Sequence, residues 1–132
     1  MKHPRLTEWQ IKLQHALDEL DDFLENQYGA LFKLHPARPA KGKTIRKSRD
    51  GLFDITANFS LGIGSERGRG YIVNVHISTL ENVPADIRLQ IEETAVNKLK
   101  ELIPKYFPTK RLWVEKDKHV IKVHGDLSLG KV

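Results

Sequence analysis

Two stretches of strict alternation constrain this chain most. Phe53, Ile55, Ala57, Phe59 and Leu61 alternate with Asp54, Thr56, Asn58 and Ser60, and Tyr71, Val73, Val75 and Ile77 alternate with Ile72, Asn74, His76 and Ser78. Period-two alternation marks strands with one face in a core and the other toward water. Parallel strands covered on both faces read as continuous apolar runs, so these two belong to an antiparallel sheet with one covered face. The connection, GIGSERGRG at 62–70, is short and glycine-rich and suits a hairpin whose tip carries Arg67 and Arg69. The expected buried set is Phe53, Ile55, Phe59, Val73, Val75 and Ile77. The expected polar set is Asp54, Thr56, Asn58, Asn74, His76 and Ser78, and a one-residue slip would turn both sets over.

Helices are expected on either side of this hairpin in sequence. From Thr7 to about Tyr28, Trp9, Leu13, Ala16, Leu17, Leu20, Phe23 and Leu24 recur at helical spacing. Thr7 with Gln10 reads as a capping pair, and Leu6 with Ile11 sits at staple spacing. The other face collects Asp18, Glu19, Asp21, Asp22 and Glu25, acids that the helix dipole disfavours so late in a helix; a solvated face is the ordinary reading, and a nearby cation would help. A second helix begins around Pro84 to Asp86, runs through Ile87, Ile91, Ala95, Leu99, Leu102 and Ile103, and bends or ends at Pro104. Leu112 to Glu115 and His119 to His124 read as a second strand pair, and 127–132 as a tail. The whole is expected to be one α+β domain over 1–132. It has two layers in the order α-β-β-α-β-β, with both helices on one face of an antiparallel sheet. Whether the second hairpin joins the same sheet is not set by the pattern.

Charge is where this sequence departs from an ordinary small domain. The 132 residues carry a formal net charge of +5, and the excess is local: −3 over 1–25, +6 over 26–50 and +2 over the remainder. Pro36, Pro39 and Gly42 punctuate a loop, 35–50, containing Arg38, Lys41, Lys43, Arg46, Lys47 and Arg49 with no acid before Asp50. No apolar run approaches the ~20 residues of a membrane span, and the opening residues lack the apolar core of a signal peptide, so no membrane partner and a cytoplasmic location are expected. The absence of cysteine excludes disulfides, thiolate metal sites and a cysteine nucleophile.

The familiar chemical motifs are incomplete. ARPAKGKT at 37–44 meets the loose P-loop pattern, but a phosphate cradle needs a strand before it and a helix after it, and neither is expected here. The glycines at 62, 64, 68 and 70 lack dinucleotide-fingerprint spacing and join two strands. Six histidines, at 3, 15, 35, 76, 119 and 124, show no metal-ligand spacing, and no nucleophile elbow supports a hydrolytic triad. The Asn58 sequon has no secretion signal to give it meaning. No cofactor, metal or catalytic residue is therefore expected.

The succession of a helix, a strand bearing Asp54, a hairpin and a second helix resembles the core of the PD-(D/E)xK nucleases in topology. In that family an aspartate and a later Glu-x-Lys gather metal and activate water; here the later positions hold Asn74 and His76. The resemblance implies at best an inactive relative. Asp54, Asn74 and His76 nevertheless share the polar side of the hairpin, where cross-strand pairing is the ordinary outcome. Trp9 belongs to the apolar stripe of the first helix. Trp113 points opposite Leu112 and Val114, beside Lys110 and Arg111, and is the better candidate for an exposed contact. The expected function is a non-enzymatic binding module whose segment Arg38, Lys41, Lys43, Arg46, Lys47 and Arg49, with Arg67 and Arg69, meets RNA or DNA by phosphate neutralisation. The alternative is a protein adaptor or self-associating homodimer, motivated by charge opposition between the acidic end of the first helix and the basic loop.

Overall fold

The computed structural model describes residues 4–42, 50–60 and 70–125. In chain order the elements are α1 (Pro4–Tyr28), β1 (Phe53–Ser60), β2 (Gly70–Ile77), α2 (Ala85–Tyr106), β3 (Leu112–Asp117) and β4 (Val120–Gly125). All three strand pairings are antiparallel, and the sheet order is β1-β2-β4-β3. The second hairpin thus joins the first through β2 and β4, with Tyr71 opposite Val123 and Val73 opposite Ile121. A two-residue connection with left-handed backbone at Lys118 (φ 57°) links β3 to β4.

The register of β1 against β2 places Phe53, Ile55, Ala57 and Phe59 opposite Ile77, Val75, Val73 and Tyr71, so these side chains share one face. Both helices pack on it. One apolar cluster joins Trp9, Leu13, Leu17, Leu20 and Leu24 of α1, Ile91, Ala95, Leu99, Leu102 and Ile103 of α2, and Phe53, Ile55, Val73, Ile77, Val114, Ile121 and Val123 of the sheet. The helices run antiparallel: Tyr28 Oη meets Thr94 Oγ1 at 2.7 Å near one end, and Glu19 takes Lys105 and the Tyr106 hydroxyl near the other.

Several details differ from the pattern. Helix α1 begins at Pro4, whose fixed φ suits a first helical turn, so Thr7 lies inside the helix and does not cap it. Ile11, about 200° around the helix from Trp9, is exposed. Helix α2 continues two residues past Pro104. Phe59 is 51% exposed and Val75 only half-buried, although both have the inward parity. Trp9 stacks on Tyr71 at 4.9 Å and covers β2 there, while Phe59 at the end of β1 meets Tyr71 edge-on. Ser78, expected on the polar face, is buried beyond the end of β2, where its N–H donates to Leu52 and its carbonyl accepts from His35 N–H.

Candidate functional site

Among the described residues, the other face of the sheet carries no helix. By register it presents Asp54, Thr56 and Asn58 of β1, Ile72, Asn74 and His76 of β2, Lys122 and His124 of β4, and Trp113 and Glu115 of β3. Three features of the surroundings bear on what this face can do.

A cleft of about 260 Å³ at one end is lined by His35, Ala37, Arg38, Asp54, His76, Ser78 and Thr79. Asp54 and His76 are direct cross-strand partners, as the alternation indicates. The other walls come from main-chain bonds that no side-chain pattern announces. His35 N–H donates to Ser78 O at 2.9 Å, and Thr79 Oγ1 donates to Lys33 O at 2.6 Å, laying segment 33–38 beside the end of β2. Ala37 N–H donates to His35 Nδ1, so neutral His35 carries its proton on Nε2. Asn74 lies further along β2, opposite Thr56. Among the described residues no three His, Asp or Glu side chains converge as a metal site requires.

The basic segment is pinned next to that cleft. Arg38 donates to the carbonyls of Gly51, Asp50 and Phe53 at 3.0, 3.2 and 2.9 Å. Lys41 Nζ lies 3.0 Å from Asp21, 3.7 Å from Asp22 and 3.6 Å from Asp50. Gly42 N–H donates to Asp50 Oδ2, and Glu25 accepts the N–H groups of Leu52 and Phe53. The late acids of α1 are therefore not merely a solvated face: Asp21 is buried, as is Asp50 of the returning segment, and Glu25 holds the start of β1. Burial pushes Asp21 up to about 6 despite its bond to Lys41. Burial also opposes the charge on Lys41, but Asp21, Asp50 and Asp22 outweigh it and hold the ammonium above its ordinary value. The opposition between acidic helix and basic loop is thus met, at Lys41, within one chain. Of the cations expected to meet nucleic acid, Arg38 and Lys41 hold the segment in place. Lys43, Arg46, Lys47, Arg49, Arg67 and Arg69 lie outside the described residues, and no strand precedes the P-loop-like stretch among the described ones.

At the far edge, on β3, Trp113 is 49% exposed, and its ring stacks on His124 with centroids 6.0 Å apart and planes at 21°. His124 Nε2 lies 3.3 Å from Glu115 Oε2. Gly125 (φ 123°) backs the indole: a Cβ there would come within 2.7 Å of the Trp113 ring and 2.5 Å of the Arg111 carbonyl. The parity of Trp113 against Leu112 and Val114 made this exposure readable, whereas its histidine partner was not.

Comparison with known proteins identifies relatives. A family model described as "Uncharacterised protein" matches residues 4–125. A Borreliella burgdorferi protein described in the same words is 34% identical over 125 residues, covering 95% of this chain and 98% of the relative. No solved structure matches the chain.

Proposed function

We propose, for a chain that belongs to this family of uncharacterised proteins, a role as a non-catalytic module that binds single-stranded nucleic acid across the helix-free face of its sheet. The observation that carries this reading is the exposed Trp113 ring, held against His124 on a sheet face that no helix among the described residues covers. Unstacked bases bind aromatic rings on open sheets, and each base–aromatic stack contributes about 1 to 3 kcal/mol whatever the base. Thr56, Asn58, Asn74 and His76 supply hydrogen-bonding groups along the same face. Phosphate neutralisation falls to Arg111 and to the expected cations Lys43, Arg46, Lys47, Arg49, Arg67 and Arg69. Arg38 and Lys41 act as anchors, because their donors already serve the protein.

Anisotropy with labelled oligouridylate and oligothymidylate, repeated over a range of salt, tests this. Trp113→Ala is expected to weaken binding about ten-fold or more at unchanged stability. Alanine at Lys43, Arg46, Lys47 and Arg49 is expected to flatten the salt dependence by about one unit of slope per lost phosphate contact. No binding at low salt rejects the reading, and binding indifferent to Trp113→Ala rejects the face.

A further inference from the structure

We infer that β1 pairs with β1 of a second copy about a two-fold axis at Ala57, each copy inserting Phe59 beside helix α1 of the other. The direction of the main chain is readable from its ends. Leu52 O accepts from Ser78 N–H and so points toward β2, while Phe53 N–H goes to Glu25 and Phe53 O to Arg38, away from β2. In an antiparallel ladder this direction alternates by residue, so Ile55, Ala57 and Phe59 also present their N–H and C=O groups to the outer edge. Among the described residues these groups have no partner.

An edge of this kind is normally blunted by lysine, proline or a bulge. The β1 sequence FDITANFS contains neither lysine nor proline, and its register against β2 runs unbroken from Phe53 to Ser60. Beside the edge, a groove of about 370 Å³ lies between α1 and β1; Leu13, Leu17, Ile55, Ala57 and Tyr71 line it together with the polar Gln10, Gln14, Thr56 and Asn58. Phe59, on the same face, stands 51% exposed.

Key and groove therefore sit on one strand, two positions either side of Ala57. An antiparallel pairing centred there sets Ile55 opposite the second copy's Phe59, and Phe59 opposite its Ile55. All six outward main-chain groups are then joined, and each ring is carried to the other copy's groove. That reciprocity is what an isologous interface requires, and it selects a second copy over a foreign strand.

Sedimentation equilibrium across a wide concentration range is the test, with hydrogen exchange at the Ile55, Ala57 and Phe59 amides in parallel. A dimer is expected, with the three amides becoming protected as it forms. Phe59→Ser is expected to weaken it at least ten-fold, as for a central aromatic contact. Ala57→Pro removes an N–H that the β2 ladder does not use, so it is expected to leave a folded monomer. A monomer at every concentration overturns the proposal. So does a dimer that survives Ala57→Pro, or one in which the three amides still exchange freely; the exchange measurement decides even if the proline variant does not fold. Association lost with Trp113→Ala but kept with Ala57→Pro would place the contact on the helix-free face and overturn it equally.

Discussion

Replacing Asp21 with asparagine separates the cost of a buried carboxylate from the value of its lysine partner. Asp21 is 2% exposed; Oδ2 takes Lys41 and Oδ1 is buried without a hydrogen bond. Burial is the larger influence and moves its pKa from 3.8 to about 6. An acid shifted upward destabilises the fold when ionised. Above about pH 6 the carboxylate is charged in both folded and unfolded chains, and the fold bears the whole cost. As pH falls from about 6 toward 3.8 the folded chain takes up a proton that the unfolded chain does not, and stability is gained. At about 1.4 kcal/mol per pKa unit, the gain between about pH 7 and pH 4 is about 2 to 3 kcal/mol. The substituted amide does not titrate, so the wild-type stability minus that of Asp21→Asn is expected to rise by this amount as pH falls. Urea unfolding of both proteins at a series of pH values measures it, and contributions from carboxylates distant from the Lys41 network cancel in the difference. A difference that stays flat refutes the argument from burial. One that shrinks with falling pH would show the pairing with Lys41 to dominate instead.

The faces of the hairpin and the backbone near Glu25 give two further checks. Ile55→Ala, at a position 4% exposed, is expected to cost about 2 to 4 kcal/mol in chemical denaturation, and Val75→Ala less because Val75 is half-buried. His76→Ala is expected to stay within about 0.5 kcal/mol, and a loss matching Ile55→Ala would contradict the face assignment. Gly42 and Gly51 both have left-handed backbone, φ 87° and 77°, yet a Cβ at Gly42 meets open space while one at Gly51 comes within 2.7 Å of the Glu25 carboxylate. Gly51→Ala is therefore expected to lower the thermal midpoint clearly more than Gly42→Ala, and equal losses would mean that backbone strain alone governs both.

What the sequence shows of this fold is what depends on parity and period. Alternation gives the faces of β1 and β2 and the exposure of Trp113, and helical spacing gives the core stripes of α1 and α2. Coverage is a different property: Phe59 has the inward parity and is 51% exposed. The β2–β4 pairing joins segments about fifty residues apart, and nothing in either strand specifies the other. The acids of α1 show the same limit. Their number and spacing on a helix describe a solvated face, and only the return of residues 38–53 brings Lys41 to Asp21 and two N–H groups to Glu25. At the cleft, Asp54 and His76 are legible as cross-strand neighbours, whereas His35, Arg38 and Thr79 arrive through main-chain bonds that any residue types could make.

Local stability is given up at three places. A carboxylate is buried with one oxygen unsatisfied at Asp21, an indole stands half in water at Trp113, and among the described residues no strand pairs with the outer edge of β1. A buried ion network rarely stabilises a fold beyond what apolar packing would, so its use at Asp21, Lys41 and Asp50 argues for position more than stability. What it positions is definite. Arg38, Lys41 and Gly42 on one side, and Asp50 to Phe53 on the other, are tied to one another and to Asp21, Asp22 and Glu25 of α1. Trp113 lies on β3, at the opposite edge of the β1-β2-β4-β3 order. Four strands about 4.8 Å apart put about 14 Å between the β1 and β3 edges, so on the proposed reading a strand that meets both Trp113 and the polar groups of β1 crosses the sheet. On the proposed reading, losing the ring removes a base-stacking contact, and losing the cations removes phosphate neutralisation. The first therefore lowers affinity at every salt concentration, while the second changes how affinity depends on salt.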